Sequence, residues 1–131
     1  MKTLKFKSRK QKEVLDITDQ LEKFLHEQHI SDRAVHLVLK HTTAALTTAD
    51  LDPGTDLDML DAFEKLIPQL NFRHPHNPSH TPDHILSSLI GTTLTLIVVK
   101  GKLDLGTWQR VVLIEFDGPR EREIVIYASK L

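Results

Sequence analysis

The chain closes on three strand-like segments, at residues 92–99, about 107–116 and 122–128, with turns marked by Gly101 and by Asp117-Gly118-Pro119. These apolar runs constrain the fold more than any other feature, because they commit the last third of the chain to β structure. The rest fits around them. Leu4-Lys5-Phe6-Lys7 alternates apolar and basic residues, as an edge strand with one wet face does. Residues 13–17 read as a second short strand. Thr18 is then expected to cap a helix over 19–28, with Leu21, Phe24 and Leu25 on one face. Strands follow at 34–41 and 44–48. Turn residues 50–54 lead into an amphipathic helix at about 55–67, striped by Leu60, Phe63, Leu66 and Ile67, with Asp56 and Asp58 in its first turn. A loop rich in His, Pro and Asn spans 71–81. Thr81-Pro82-Asp83 has the pattern of a cap, a first-position Pro and an early acid, so a short helix is expected from there to Ile90, stopping at Gly91. The order of elements predicts an α+β fold, a largely antiparallel sheet or β-sandwich with three helices, in one domain spanning 1–131.

Composition removes several function classes. One hundred and thirty-one residues fill one core rather than two. Seventeen Lys and Arg against eighteen Asp and Glu leave no basic excess, which argues against a nucleic-acid partner. Runs such as Val111-Val112-Leu113-Ile114 fall far short of the roughly 20 apolar residues of a membrane span. The first residues lack the apolar stretch of a signal peptide, so a cytoplasmic location is the expectation. There is no cysteine, but there are eight histidines, and His74, His76, His80 and His84 fall within eleven residues. Any metal site must therefore use imidazole and carboxylate ligands.

Strand parity selects among the candidates. Residues 35, 37, 39 and 41 share a face, so His41 ends an apolar row, either as a core histidine bonded to backbone or as a ligand. Gln109, Val111, Leu113 and Glu115 share another. Glu115 either turns to water at the strand end or meets a metal, a histidine or an arginine. His84 falls in the first turn of the helix expected from Thr81, where the positive helix end keeps imidazole neutral and attracts phosphate. Trp108 is a core or interface anchor or a stacking platform. There is no Gly-rich phosphate loop, nucleophile elbow or His-Glu-x-x-His.

Four segments together resemble the YjbQ family: residues 41–47 (His-Thr-Thr-Ala-Ala-Leu-Thr), 83–91, 100–109 and 115–120, in order across about 10–128. The family is known as secondary thiamine-phosphate synthases, small homotrimeric α+β proteins. The resemblance implies activity joining a pyrimidine diphosphate to a thiazole phosphate. It implies His41, His74 and His84 as metal ligands, with a divalent ion, zinc by ligand type. It further implies His84, Asp50 and Glu115 as catalytic, and Thr42, Thr43, Trp108 and Gln109 at the substrate. The family's Ile-Asn-Glu after Thr47 is here Thr48-Ala49-Asp50, with a shorter acid. The competing expectations are a metal-assisted enzyme on a phosphorylated substrate, a non-catalytic trimeric module binding metal or small anions, and histidines that only fill a polar interface.

Overall fold

A computed structural model describes all 131 residues. Its elements are β1 (Lys2–Lys7), β2 (Glu13–Asp16), α1 (Thr18–Glu27), β3 (Arg33–Leu39), β4 (Ala44–Ala49), α2 (Thr55–Leu66), a 3₁₀ turn (Pro78–His80), α3 (Thr81–Ile90), β5 (Thr93–Val99), β6 (Lys102–Leu103), β7 (Arg110–Glu115) and β8 (Glu121–Lys130). They form an α+β domain with three helices and two antiparallel sheets. The larger sheet has the order β1-β8-β3-β5-β6 and the smaller β2-β7-β4. No helix is long and apolar enough to cross a membrane.

Consecutive strands change sheets at every step but β5 to β6, and two of these crossings are short corners that meet. The chain passes from β3 to β4 through residues 40–43, and from β7 to β8 through 116–120. The corners are adjacent, because Ala44 registers with Glu115 and the Phe116 N–H donates to the Thr43 carbonyl at 3.1 Å.

Strand β7 is buried on both faces. Val111 and Leu113 join Leu37, Ile124 and Ile126 of the larger sheet and Leu21 and Leu25 of α1 in the main core. Val112 and Ile114, of opposite parity, join Phe116 and Leu86 in a second core against α2 and α3. Phe63 of α2 meets Phe116 edge-on at 6.0 Å. Residue Leu66, expected in the α2 stripe, is 56% exposed, and no residue of α2 is fully buried.

Two helix starts depart from expectation: the Thr18 hydroxyl is engaged elsewhere, and the helical path at Thr81 begins earlier in the chain. Thr18 opens α1 instead of preceding it, and its hydroxyl accepts the Val111 N–H at 2.8 Å while donating to Asp16 at 2.7 Å. Asn77 and Pro78 take the cap and first-position roles expected of Thr81 and Pro82. The Asn77 Oδ1 accepts the Ser79 N–H at 3.1 Å, and the resulting 3₁₀ turn runs straight into α3. The Thr81 N–H is thereby taken by the Pro78 carbonyl, which narrows the anion site expected at this helix end. Gly91 ends α3 at φ 111°, a value that favours glycine. The free edge of β4 is covered by α3, through Ser87 Oγ donating to the Ala44 carbonyl at 2.7 Å and Leu46 N–H donating to the Gly91 carbonyl at 3.0 Å.

Candidate functional site

Helix α3 lies beside the 40–43 corner and presents His84 to it. Nδ1 of His84 is 3.0 Å from the Thr42 carbonyl. A carbonyl only accepts, so Nδ1 carries the proton, and the lone pair of the neutral ring is on Nε2. His74 enters from the loop after α2 and stacks on His84, with ring centroids 5.0 Å apart and an interplanar angle of 25°. The two Nε2 atoms are 3.3 Å apart. Backbone N–H groups of His76 and Asn77 both reach His74 Nδ1 at 3.4 Å, so that nitrogen accepts and the proton sits on Nε2. The contacts form one chain, from the 76 and 77 amides to His74, from His74 Nε2–H to His84 Nε2, and from His84 Nδ1–H to the Thr42 carbonyl.

The pair fits a divalent cation in part. Two imidazole ligands at about 2.0–2.1 Å from a tetrahedral zinc have nitrogens about 3.3 Å apart, which is the spacing found. His84 already holds the tautomer that offers Nε2, anchored through its other nitrogen. His74 must first move its proton to Nδ1 and turn from the two amides. No group of three His, Asp or Glu side chains is placed to hold a metal within the chain.

His41 stands apart from this pair. Strand β3 ends at Leu39, so the alternation that would carry residue 41 to the core side breaks at Lys40. His41 is half-buried in the corner, and its Nε2 accepts the Glu123 N–H at 3.0 Å. Burial and the Arg122 and Arg120 cations push its pKa below the ordinary imidazole value, against the weaker raising effect of Glu123 and Glu115. Of the three expected ligands the structure brings two together and ties the third to backbone.

Glu115 has a structural assignment, which corrects the expectation of an acid/base or ligand role. Its carboxylate is fully buried and paired with Arg122 of β8. Arg122 Nε donates to Oε1 at 2.9 Å, its Nη2 donates to Oε2, Ser8 Oγ donates to Oε1 at 2.6 Å, and the Asp117 N–H donates to Oε2 at 3.1 Å. Burial raises the Glu115 pKa, but the hydrogen bonds of Arg122, Ser8 and Asp117 outweigh it and hold the group below the usual carboxylate value. Thr43 is corrected likewise. It is buried, and its hydroxyl accepts from Arg122 Nη2 at 2.8 Å and its carbonyl at 3.1 Å, so it does not face a substrate. Arg122 thus staples both sheet-crossing corners.

The remaining candidates lie at the other end of the smaller sheet. Register pairs Ala44 with Glu115 and Ala49 with Arg110, five residue steps or about 17 Å along the strand. Beyond Ala49, Asp50 Oδ1 accepts the Asp52 N–H at 2.9 Å. Gln109 accepts the Gly106 N–H at 2.8 Å and donates to Thr48 Oγ1 at 3.1 Å, while Trp108 is 70% exposed. The chain does not gather Asp50, Trp108 and Gln109 with His84; Thr42, exposed at the corner, is beside it.

Sequence reasoning missed Arg122, Ser8 and Lys12. For the first two a signal existed: Ile124 and Ile126 face inward, so Arg122 does too, and Phe6 implies the same of Ser8. Lys12, whose Nζ lies 3.0 Å from buried Asp83, had no such signal.

The model of the family described as "UPF0047 protein YjbQ-like" matches residues 2–130. Among similar proteins, the UPF0047 protein YugU of Bacillus subtilis is 39% identical over 127 residues, covering 96% of each chain. A UPF0047 protein of Archaeoglobus fulgidus is 37% identical over 126 residues, covering 95% of this chain and 98% of that one. Among solved structures, a hypothetical protein of Aeropyrum pernix K1 superposes with a TM-score of 0.88 at 30% identity over all of both chains. A YjbQ/UPF0047 protein of Clostridium acetobutylicum does so at 0.87 and 33% identity, over 98% of this chain and 100% of that one.

Proposed function

The chain belongs to the YjbQ-like UPF0047 family, and from that premise we propose that it is a metal-assisted enzyme with thiamine-phosphate-synthase-like activity, joining a pyrimidine diphosphate to a thiazole phosphate. The observation that carries this reading is the His74–His84 pair, with its nitrogens spaced as zinc ligands and His84 already held in the ligating tautomer. His74 and His84 would hold the divalent ion, zinc by ligand chemistry, which supplies charge neutralisation for the departing diphosphate. The chain's own residues orient and exclude. The Thr42 carbonyl fixes the His84 ring, His74 would turn from the 76 and 77 amides to ligate through Nε2, and Thr42 stands exposed for a substrate phosphate.

In this reading the protein is a cytoplasmic homotrimer of β-sandwich protomers. Asp50, Trp108 and Gln109 sit some 17 Å along the ladder from the histidine end, so a neighbouring copy docked head to tail would bring them to the pair. Asp50 is then the carboxylate available for acid/base work. A second reading, a non-catalytic module binding metal or small anions, is favoured by one observation: Glu115 is committed to Arg122, and two ligands alone converge in the protomer.

Zinc titration of tag-free protein by calorimetry, with a thiamine-phosphate formation assay run with and without chelator, tests both. Binding with chelator-sensitive turnover supports the enzyme. Binding without turnover favours the module, and absence of zinc binding overturns the enzyme and the metal-binding form of the module.

A further inference from the structure

Helix α3 has two working faces. His84 and Ser88 lie on one, while Asp83 and Leu86 lie on the other and border a separate cavity of about 860 Å³ between α2, the segment after it and the 3₁₀ turn. That volume is in the range of small-molecule pockets, roughly 300–1,000 Å³. Phe63, Ile67, Phe72, Leu86 and Phe116 supply apolar walls. Among the polar residues that share the lining with them, the ion pair of Lys12 and Asp83, with Nζ 3.0 Å from Oδ1, holds the one buried carboxylate.

The charges of this pair cancel, but its hydrogen-bonding capacity is not used up. An ammonium has three N–H donors. Lys12 gives one to Asp83 Oδ1 and one to the Phe116 carbonyl at 3.5 Å, and its side chain is 38% exposed. Asp83 accepts from Lys12 through Oδ1 alone, which leaves Oδ2 as an acceptor. A donor and an acceptor therefore stand side by side in a cavity of mixed lining whose other charged residues, Glu64 and Lys65, also cancel. An anionic ligand meets Asp83 and a cationic one meets Lys12, each at a like charge. A neutral group with a carbonyl beside an N–H satisfies both.

We propose that this cavity is a second binding site, distinct from the histidine pair, for a neutral planar ring compound that presents an amide-type edge to Lys12 and Asp83. The carbonyl accepts from Lys12 Nζ, the amide N–H donates to Asp83 Oδ2, and the ring system lies among Phe63, Phe72 and Phe116.

The experiment uses three matched probes, naphthamide, naphthoate and naphthylmethylamine, titrated into the full-length protein and followed by amide chemical shifts. Naphthamide should bind at least about tenfold more tightly than either charged homologue, one hydrogen-bonded recognition difference, with shifts centred on 60–72 and Lys12. The variant K12M/D83L replaces the pair by apolar groups, a change that buried pairs often tolerate. It should fold and bind the three probes within about threefold of one another. Naphthoate or naphthylmethylamine binding unmutated protein as tightly as naphthamide would overturn the proposal. So would no binding at millimolar probe, shifts centred on the His84–Leu89 face, or discrimination that survives in K12M/D83L. Zinc binding by the histidine pair is read separately, so either site can fail without the other.

Discussion

Arg122→Met removes the cation that satisfies a fully buried carboxylate. Four hydrogen bonds disappear at once, two to Glu115 and two to Thr43, and Glu115 keeps only Ser8 and the Asp117 amide. Breaking a buried ion pair from one side costs about 3–5 kcal/mol. For a chain of this length each kcal/mol moves Tm by roughly 4 °C, so a fall of about 10–20 °C is expected near neutral pH. The dependence on pH has a definite sign. In the unmutated protein the Glu115 pKa is held below its ordinary 4.5, so its stabilisation is present above that value and is lost as acid passes through the folded pKa. In the variant burial dominates and the pKa rises above 4.5. The deficit is then largest at neutral pH and shrinks as the pH approaches 4. Thermal unfolding followed by circular dichroism at pH 7 and pH 4, at fixed protein concentration, measures both effects. The double variant Glu115→Leu/Arg122→Met should recover most of the loss. A single variant within about 1 kcal/mol of the parent, or a double variant as unstable as the single, refutes the assignment of this pair as the staple of the two corners.

Three further outcomes are expected. Gly118→Ala should destabilise by about 1–3 kcal/mol or more in urea unfolding, because a Cβ there lies 2.2 Å from the Lys10 carbonyl oxygen, 2.6 Å from Ser8 Oγ and 2.9 Å from Glu115 Cγ. His84→Ala should abolish zinc binding in calorimetry while leaving Tm within a few degrees, and His26→Ala, on exposed α1 surface, should change neither. Zinc affinity of the unmutated protein should weaken on acidification more steeply than for a single imidazole, since two rings must stay unprotonated at the ligating nitrogen.

Much of the fold is legible in the sequence because period-two burial is a local property. Leu4 and Phe6, Val35 to Leu39, and Ile124 and Ile126 declare their faces without knowledge of what covers them. Sheet membership is not local. Nothing in residues 116–120 says that β7 and β8 belong to different sheets, and that separation is what makes Arg122 the partner of Glu115. Parity places Glu115 inward and admits an arginine, but choosing it requires the crossing. Helix starts fail in the same way. Thr18 and Thr81 both have the residue type of a cap, yet the Val111 amide claims one hydroxyl and Asn77 starts the helical path four residues before the other. At the site, His74 and His84 meet because the loop returns to the first turn of α3, which histidine spacing does not reveal. His41 separates from them because its strand stops two residues early.

Burial of β7 on both sides has a consequence for how the molecule opens. Its amides belong to two cores together, so they exchange with solvent hydrogen only when the whole domain unfolds. Helix α2 is the opposite case, since it docks through half-buried side chains onto the second core alone. Its amides are therefore expected to exchange ahead of those of β7 in a hydrogen-exchange time course. Because α2 forms a wall of the cavity beside Lys12 and Asp83, a molecule seated there should slow that exchange.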